Sequence, residues 1–361
     1  MTLFDTTAFT EPFPEIGVRT VRDWYRSPTV LDAERERLFA RSWAIVGTTE
    51  SLAEPGDYLT ETVAGVPLLV VRDDDNTLRA FHNLCRHRGI PIVEGCGRSG
   101  RFLTCPYHQW SYRRDGSLAV VPQQQTEFPD LALDDLPLIP AAVEEWAGMV
   151  FVRPDAAGPT LAESFAGLDE RLAGFAALDL VEVAKVTHEA ACNWKMIVEN
   201  HVDVYHLWFL HQHSLGDLDH RQFAWDALGD NWWSQEPYLD RADAPTGLVG
   251  LSDTDQQSIG AHLLFPNLMI VTCGEYLATY DSVPVAPDRT RLTLRIRSNP
   301  NSDGDAMVKN IDRFLSEDLG ACESLQRATG SPAFRFGATA RTHEAPVRAF
   351  HAAVRRALGT E

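Results

Sequence analysis

NLCRHRGIPIVEGCGRSGRFLTCPYHQWSYRRDG, residues 83–116, holds Cys85 and His87 with one residue between them and, after 17 intervening residues, Cys105 and His108 with two between them. Each pair sits on its own short loop. Gly89, Gly95, Gly97 and Pro106 permit the tight turns that would close both pairs on one metal centre. The flanks are β-type: VPLLVV (66–71) and LRAFHNL (78–84) bracket a polar turn at residues 73–76 and read as a hairpin. RFLTC and WSYRR, then Asp115-Gly116 and SLAVV, suggest a second hairpin region, with GMVFVRP (148–154) as a closing strand. The expectation is a small all-β domain whose loops carry the Cys-His pairs.

Outward from this core, residues 1–20 read as an irregular arm. PTVLDAERERLFARSW (28–43) reads as an amphipathic helix with Leu31, Leu38 and Phe39 on one stripe. DAAGPT (155–160) is a plausible joint between domains. Beyond it, 161–178 reads as helix, 180–192 as strand and NWKMIVENHVDVYHLWFLH (193–211) as helix again. Strand-like runs recur at 262–273, 276–286 and 290–298, and the last 55 residues read largely as helices.

Composition narrows the function classes. The 361 residues, 44% of them hydrophobic, can bury a substantial core. A formal charge of −19 argues against nucleic acid or an anionic membrane as partner. No basic-then-apolar leader and no run of about 18 apolar residues is present, so a cytoplasmic protein without a membrane span is expected. Six scattered cysteines are too few for a disulfide scaffold, and Cys-His spacing in a reduced protein points to metal.

Thiolate and imidazole at paired short spacing fit structural zinc. They also fit an iron–sulfur cluster in which two His replace two Cys on one iron. The pattern C-x-H-x17-C-x2-H suits the second, because each loop gives one Cys and one His. Cys96 lies inside the stretch but off these positions and is read as structural. A second constellation lies downstream, where Asp203, His206 and His211 follow one another at spacings of three and five. Asp203 and His206 share a helical face, whereas His211 falls ~140° further round, so a helix end or bulge near residues 209–211 is needed to bring it back. Two His with a distant carboxylate make the facial triad of non-haem Fe(II) oxygenases.

CRHRG followed by CPYHQWSY resembles the Rieske motif of the Rieske non-haem iron oxygenases, and N-W-K-x3-E-N before D-x2-H-x4-H resembles their catalytic motif. The resemblance implies a [2Fe-2S] cluster with Cys85 and Cys105 on one iron and His87 and His108 on the other. It implies a mononuclear Fe(II) held by His206, His211 and a carboxylate from FLSEDLGACESLQR (314–327), for which Asp318 is chosen over Glu317 and Glu323. Asp203 maps to the residue that bridges this iron to the cluster of a neighbouring subunit. Gln109 stands where the family often has Gly, so the loop after His108 is expected to differ.

The implied fold is α+β: an arm and helix at 1–42 packing on the catalytic domain, an all-β Rieske domain at 43–156, and a catalytic domain at 157–361 with an antiparallel sheet and covering helices. The implied activity is that of a terminal oxygenase using O2 and electrons from NAD(P)H through a separate reductase or ferredoxin. A head-to-tail homotrimer would place His108 of one subunit near Asp203 of the next. The chain's length favours monooxygenation, as hydroxylation or oxidative demethylation, over cis-dihydroxylation of an aromatic ring. A stand-alone Rieske electron carrier and a zinc-stabilised binding protein are the alternatives of other classes. The substrate is expected to be a small aromatic or amine-containing molecule. Trp208, Phe209, Phe223, Trp225, Trp232, Trp233 and Tyr276 are candidates to line its pocket or to cage an ammonium group, most of them being read as core.

Overall fold

The computed structural model describes residues 20–216, 223–237 and 247–359. The expected amino-terminal arm, up to residue 19, lies outside them. The chain divides into one unit over residues 39–161 and a second assembled from the segments before and after it.

In the first unit, short strands follow the alternation and turns read from the sequence. These are β1 (Ala44–Thr48), β2 (Asp57–Val63), β3 (Val66–Arg72), β4 (Leu78–His82), β5 (Cys96–Arg98), β6 (Leu103–Thr104), β7 (Ser111–Tyr112), β8 (Leu118–Val120), β9 (Pro140–Trp146) and β10 (Met149–Arg153). Seven of them form an antiparallel sheet in the order β1-β10-β9-β4-β3-β2-β5, and β6-β7-β8 form a separate small sheet. The β3–β4 hairpin pairs Arg72 with Leu78 across the residues 73–76 turn. Between the two sheets, Leu69, Val71, Phe81, Leu103 and Leu118 make an apolar cluster that also holds Cys85 and Cys105.

The second unit is built on one antiparallel sheet of β11 (Val181–Ala190), β12 (Ala224–Leu228), β13 (Asn231–Pro237), β14 (Ser258–Leu264), β15 (Leu268–Cys273), β16 (Tyr276–Ala286) and β17 (Arg289–Ser298). Its order is β11-β17-β16-β15-β14-β13-β12, so β12 to β17 run as a meander and β11 returns beside β17. The run 262–273 is therefore two strands, turned back at Phe265-Pro266, and not one. The helix expected at 161–178 is broken into Leu161–Phe165, Leu168–Arg171 and Ala173–Ala176, because Ala166 and Gly167 take positive φ.

Six further helices matter for the site: α1 (Val21–Arg26), α2 (Pro28–Arg37), α3 (Trp194–Val202), the four-residue α4 (Leu207–Leu210), the 25-residue α5 (Gly304–Ala328) and α6 (Ala345–Ala357). Gly304 starts α5 hard against β11: a Cβ there would stand 2.2 Å from the Val183 carbonyl oxygen. On α5, residues 318, 322 and 326 lie on one i, i+4 row facing the α3 segment. Cys322 Sγ donates to the Met196 carbonyl at 3.4 Å, and the Asn193 N–H donates to Gln326 Oε1 at 3.1 Å.

Helix α3 is clamped by buried charge. Lys195 and Glu34 are both fully buried and paired, Trp194 Nε1–H donates to Glu34 Oε2 at 2.8 Å, and Lys195 Nζ stands 4.9 Å over the Trp24 ring. One turn on, Glu199 accepts the Tyr25 hydroxyl at 2.8 Å and lies 2.9 Å from His351 Nε2. Burial and the Glu199 carboxylate push the Tyr25 phenol well above its ordinary pKa, keeping it a donor. Helices α1, α2 and α6 thus fix the depth of α3. Removing one member of a buried pair costs about 3–5 kcal/mol, while replacing both by apolar groups is often near neutral. Lys195→Met should lose that much stability in urea titrations and Glu34→Leu/Lys195→Met should recover most of it; a single variant close to wild type would contradict the clamp.

Candidate metal centres

The two Cys-His loops have the same backbone. Gly89 N–H donates to the Cys85 carbonyl at 2.8 Å, and Gln109 N–H to the Cys105 carbonyl at 3.0 Å. One residue on, each Cys N–H returns a bond, Cys85 to Ile90 and Cys105 to Trp110, both at 2.9 Å. Gly89 and Gln109 both sit in the left-handed region, with φ of 76° and 58°. Gln109 thus adopts the conformation that glycine takes in the first loop.

This repeat brings the four groups together. Cys85 and Cys105 are buried, and Tyr112 Oη stands 3.5 Å from Cys85 Sγ while accepting the Arg86 N–H at 2.9 Å. Burial and the adjacent Cys85 raise the Cys105 thiol, and burial together with His108 lowers the His87 imidazole. The His87 and His108 rings are 4.5 Å apart, and Trp110 stacks on His87 at 4.9 Å. Both imidazoles leave a buried Nδ1 without a hydrogen-bond partner. Two thiols and two orphaned ring nitrogens facing one space fit a cluster with mixed Cys and His ligation. His108 is half-buried beneath Tyr107, whose ring centroid is 3.8 Å away and which is 54% exposed. Cys96 is an exposed free thiol on β5, with no part in the core.

In the second unit, α3 does not run through the Asp-His-His segment. It stops at Val202, Asp203 turns to extended backbone, and His206 and His211 flank α4 as its two caps. A helix end at His211 was expected, but the earlier break at Asp203 was not, and together they turn His206 and His211 toward one point. Their Nε2 atoms lie 3.4 and 2.9 Å from Asp318 Oδ1, and one ligand atom from each of the three residues falls within 4.8 Å of the others. Two imidazoles and a carboxylate at this spacing fit a divalent iron.

The far nitrogens face carboxylates too. His206 Nδ1 is 3.4 Å from Asp203 Oδ2, whose other oxygen accepts the Tyr205 N–H at 2.7 Å. His211 Nδ1 is 2.7 Å from Glu317 Oε2 and 3.2 Å from Ser214 Oγ. Carboxylates behind ligand histidines fix their orientation and basicity. Burial opposes protonation of His206, yet hydrogen bonds to Asp203 and Asp318 carry it up to about 9; the same contacts hold Asp318 below the ordinary carboxylate range against burial. Of the competing acids, Glu317 thus stands behind His211, and Glu323 accepts the Ala191 N–H at 3.0 Å. Ser214 was not anticipated; its place three residues after His211, beside an acidic helix, was the available signal.

A cavity of about 120 Å³ adjoins these groups, lined also by His201, Asn200 and Tyr280 among aliphatic residues. None of the seven candidate pocket aromatics occurs among its described lining residues.

Residues 42–140 match the family model for the Rieske [2Fe-2S] domain, and residues 177–360 that for the ring hydroxylating alpha subunit (catalytic domain). The carnitine monooxygenase oxygenase subunit of Escherichia coli (strain K12) is 32% identical over 320 residues, covering 86% of this chain and 84% of that protein. The chloroplastic choline monooxygenase of Beta vulgaris is 27% identical over 353 residues, covering 94% and 76%. A crystal structure of the quaternary ammonium Rieske monooxygenase CntA in complex with L-carnitine superposes with a TM-score of 0.79 at 26% identity, covering 93% of this chain and 94% of that one.

A non-glycine residue in the left-handed region costs about 1–2 kcal/mol, part of which glycine returns through unfolded-state entropy. Gln109→Gly should therefore raise the denaturation midpoint by an amount equivalent to about 1 kcal/mol or less; a lowered midpoint would show that the Gln109 side chain makes a compensating contact.

Proposed function

The chain belongs to the Rieske ring-hydroxylating oxygenases, and within that family we propose that it is a monooxygenase whose [2Fe-2S] cluster is held by Cys85, His87, Cys105 and His108 and whose mononuclear iron is held by His206, His211 and Asp318. The observation that carries this reading is the meeting of His206 and His211 on Asp318 beside a mainly apolar cavity. Such enzymes take electrons from NAD(P)H through a separate reductase. When bound, the cluster supplies single electrons and the iron supplies O2 activation beside the substrate.

The chain's own residues divide the remaining work. Glu317 and Ser214 fix the His211 ring, and Asp203 fixes His206. Leu207, Leu215, Ile259, Met269 and Leu319 keep water from the reacting end of the cavity. Asp203 also links His206 to the surface, and we assign it the bridge to His108 of a neighbouring copy in a head-to-tail homotrimer. Its partial exposure and that of His108 support this role. The named relatives act on carnitine and choline, which favours an amine-containing substrate and monooxygenation over cis-dihydroxylation.

Asp318→Ala should lose the mononuclear iron while keeping the visible absorption of the cluster, and Glu317→Ala should keep both; iron analysis separates them, and the reverse pattern would reassign the ligand. Asp203→Ala should retain colour yet lose coupled product formation by about 10- to 100-fold, the usual cost of removing a carboxylate behind a ligand histidine. Near-normal turnover would remove Asp203 from the electron path. Light scattering should give three times the 40.2 kDa chain mass.

A further inference from the structure

Strand alternation places Ala261 of β14, Val271 of β15, Tyr280 of β16 and Leu292 of β17 on the cavity side of the sheet, opposite Ile197 of α3 and Leu315 of α5. Tyr280 is 4% exposed, and its hydroxyl is buried without a hydrogen-bond partner. By contrast, His201, also in the lining, spends its Nε2 on the His262 carbonyl at 3.0 Å. A buried hydroxyl with no partner carries its full desolvation cost, and in a binding cavity it is a group waiting for a ligand. Burial, followed by the charge of Asp318, pushes Tyr280 ionisation far up, so it offers an O–H and not a phenolate.

Size and charge narrow what it meets. A space of about 120 Å³ is close to the roughly 150 Å³ apolar cavity that accepts one benzene ring. Among the described lining residues the aromatic rings are Tyr280 and Phe314, with no Arg or Lys. An ammonium cage needs several aromatic faces, and a substrate carboxylate needs a base.

Resting on the monooxygenase reading, we infer that the end of the substrate entering this cavity is uncharged, no larger than a single ring, and presents one hydrogen-bond acceptor to Tyr280 Oη. Tyr280 is then a specificity-determining residue, reading the acceptor while the aliphatic wall reads shape.

Equilibrium dialysis of the iron-loaded protein tests this with cyclopentanone, with methylcyclopentane, which has the same shape without the acceptor, and with tetramethylammonium. Wild type should prefer cyclopentanone over methylcyclopentane by about five- to tenfold, the worth of one net hydrogen bond. Tyr280→Phe should abolish that preference and leave methylcyclopentane binding unchanged. A preference that survives Tyr280→Phe, tetramethylammonium bound more tightly than cyclopentanone, or no uptake of any of the three would overturn it. The wild-type ratio stands even where the variant fails to fold. Iron content and visible absorption of the same samples separate this failure from that of the metal assignment: normal iron with a flat Tyr280 response sinks only the substrate inference.

Discussion

Asp318 Oδ1 lies within 3.4 Å of two histidine nitrogens that come from opposite ends of a four-residue helix. The second unit is arranged to make that possible. Asp318 reaches the point because Gly304 lets α5 start against β11 and because the 318-322-326 row docks on the α3 segment. His206 and His211 reach it because α3 ends at Val202 and the chain re-enters helix at Leu207. The depth of α3 depends in turn on the Glu34–Lys195 pair and on Glu199 with its two partners. A buried ion pair is weak evidence of net stability, but it strongly penalises a misplaced helix. That is the property a three-ligand site requires.

Much of this was legible beforehand. The Cys-x-His and Cys-x2-His pairs and the β3–β4 hairpin could be read from residue type and spacing, whereas the choice of Asp318 as the acid meeting both histidines came from the family resemblance alone. The break after α3 could be anticipated only as a need, since His211 is out of phase with His206; nothing in NHVDVYHL states that Asp203 would stop the helix. A left-handed residue without glycine leaves no sequence signal, and for Gln109 only its φ and the matching hydrogen bonds of the first loop expose it. The aromatic residues of the middle segment are a different case. Among the described lining residues the sheet contributes small and aliphatic side chains with Tyr280, while Trp232 and Tyr276, on the same strand faces as Ser234 and Tyr280, lie outside that lining, so alternation alone does not select the cavity residues.

The two units present complementary requirements. Around Cys85 and Cys105 the polypeptide offers soft ligands in an apolar cluster, with His108 close to the surface. Around Asp318 it offers two imidazoles and a carboxylate beside a mainly apolar cavity, with Asp203 between them and the exterior. One centre is shaped for the exchange of electrons at a surface and the other for chemistry away from water.

Metal analysis combined with EPR of the reduced, purified protein decides whether both centres hold iron in one chain. About three irons per chain are expected, two in the cluster and one mononuclear, with red-brown colour and a reduced signal of low average g. A colourless protein with stoichiometric zinc would contradict that assignment.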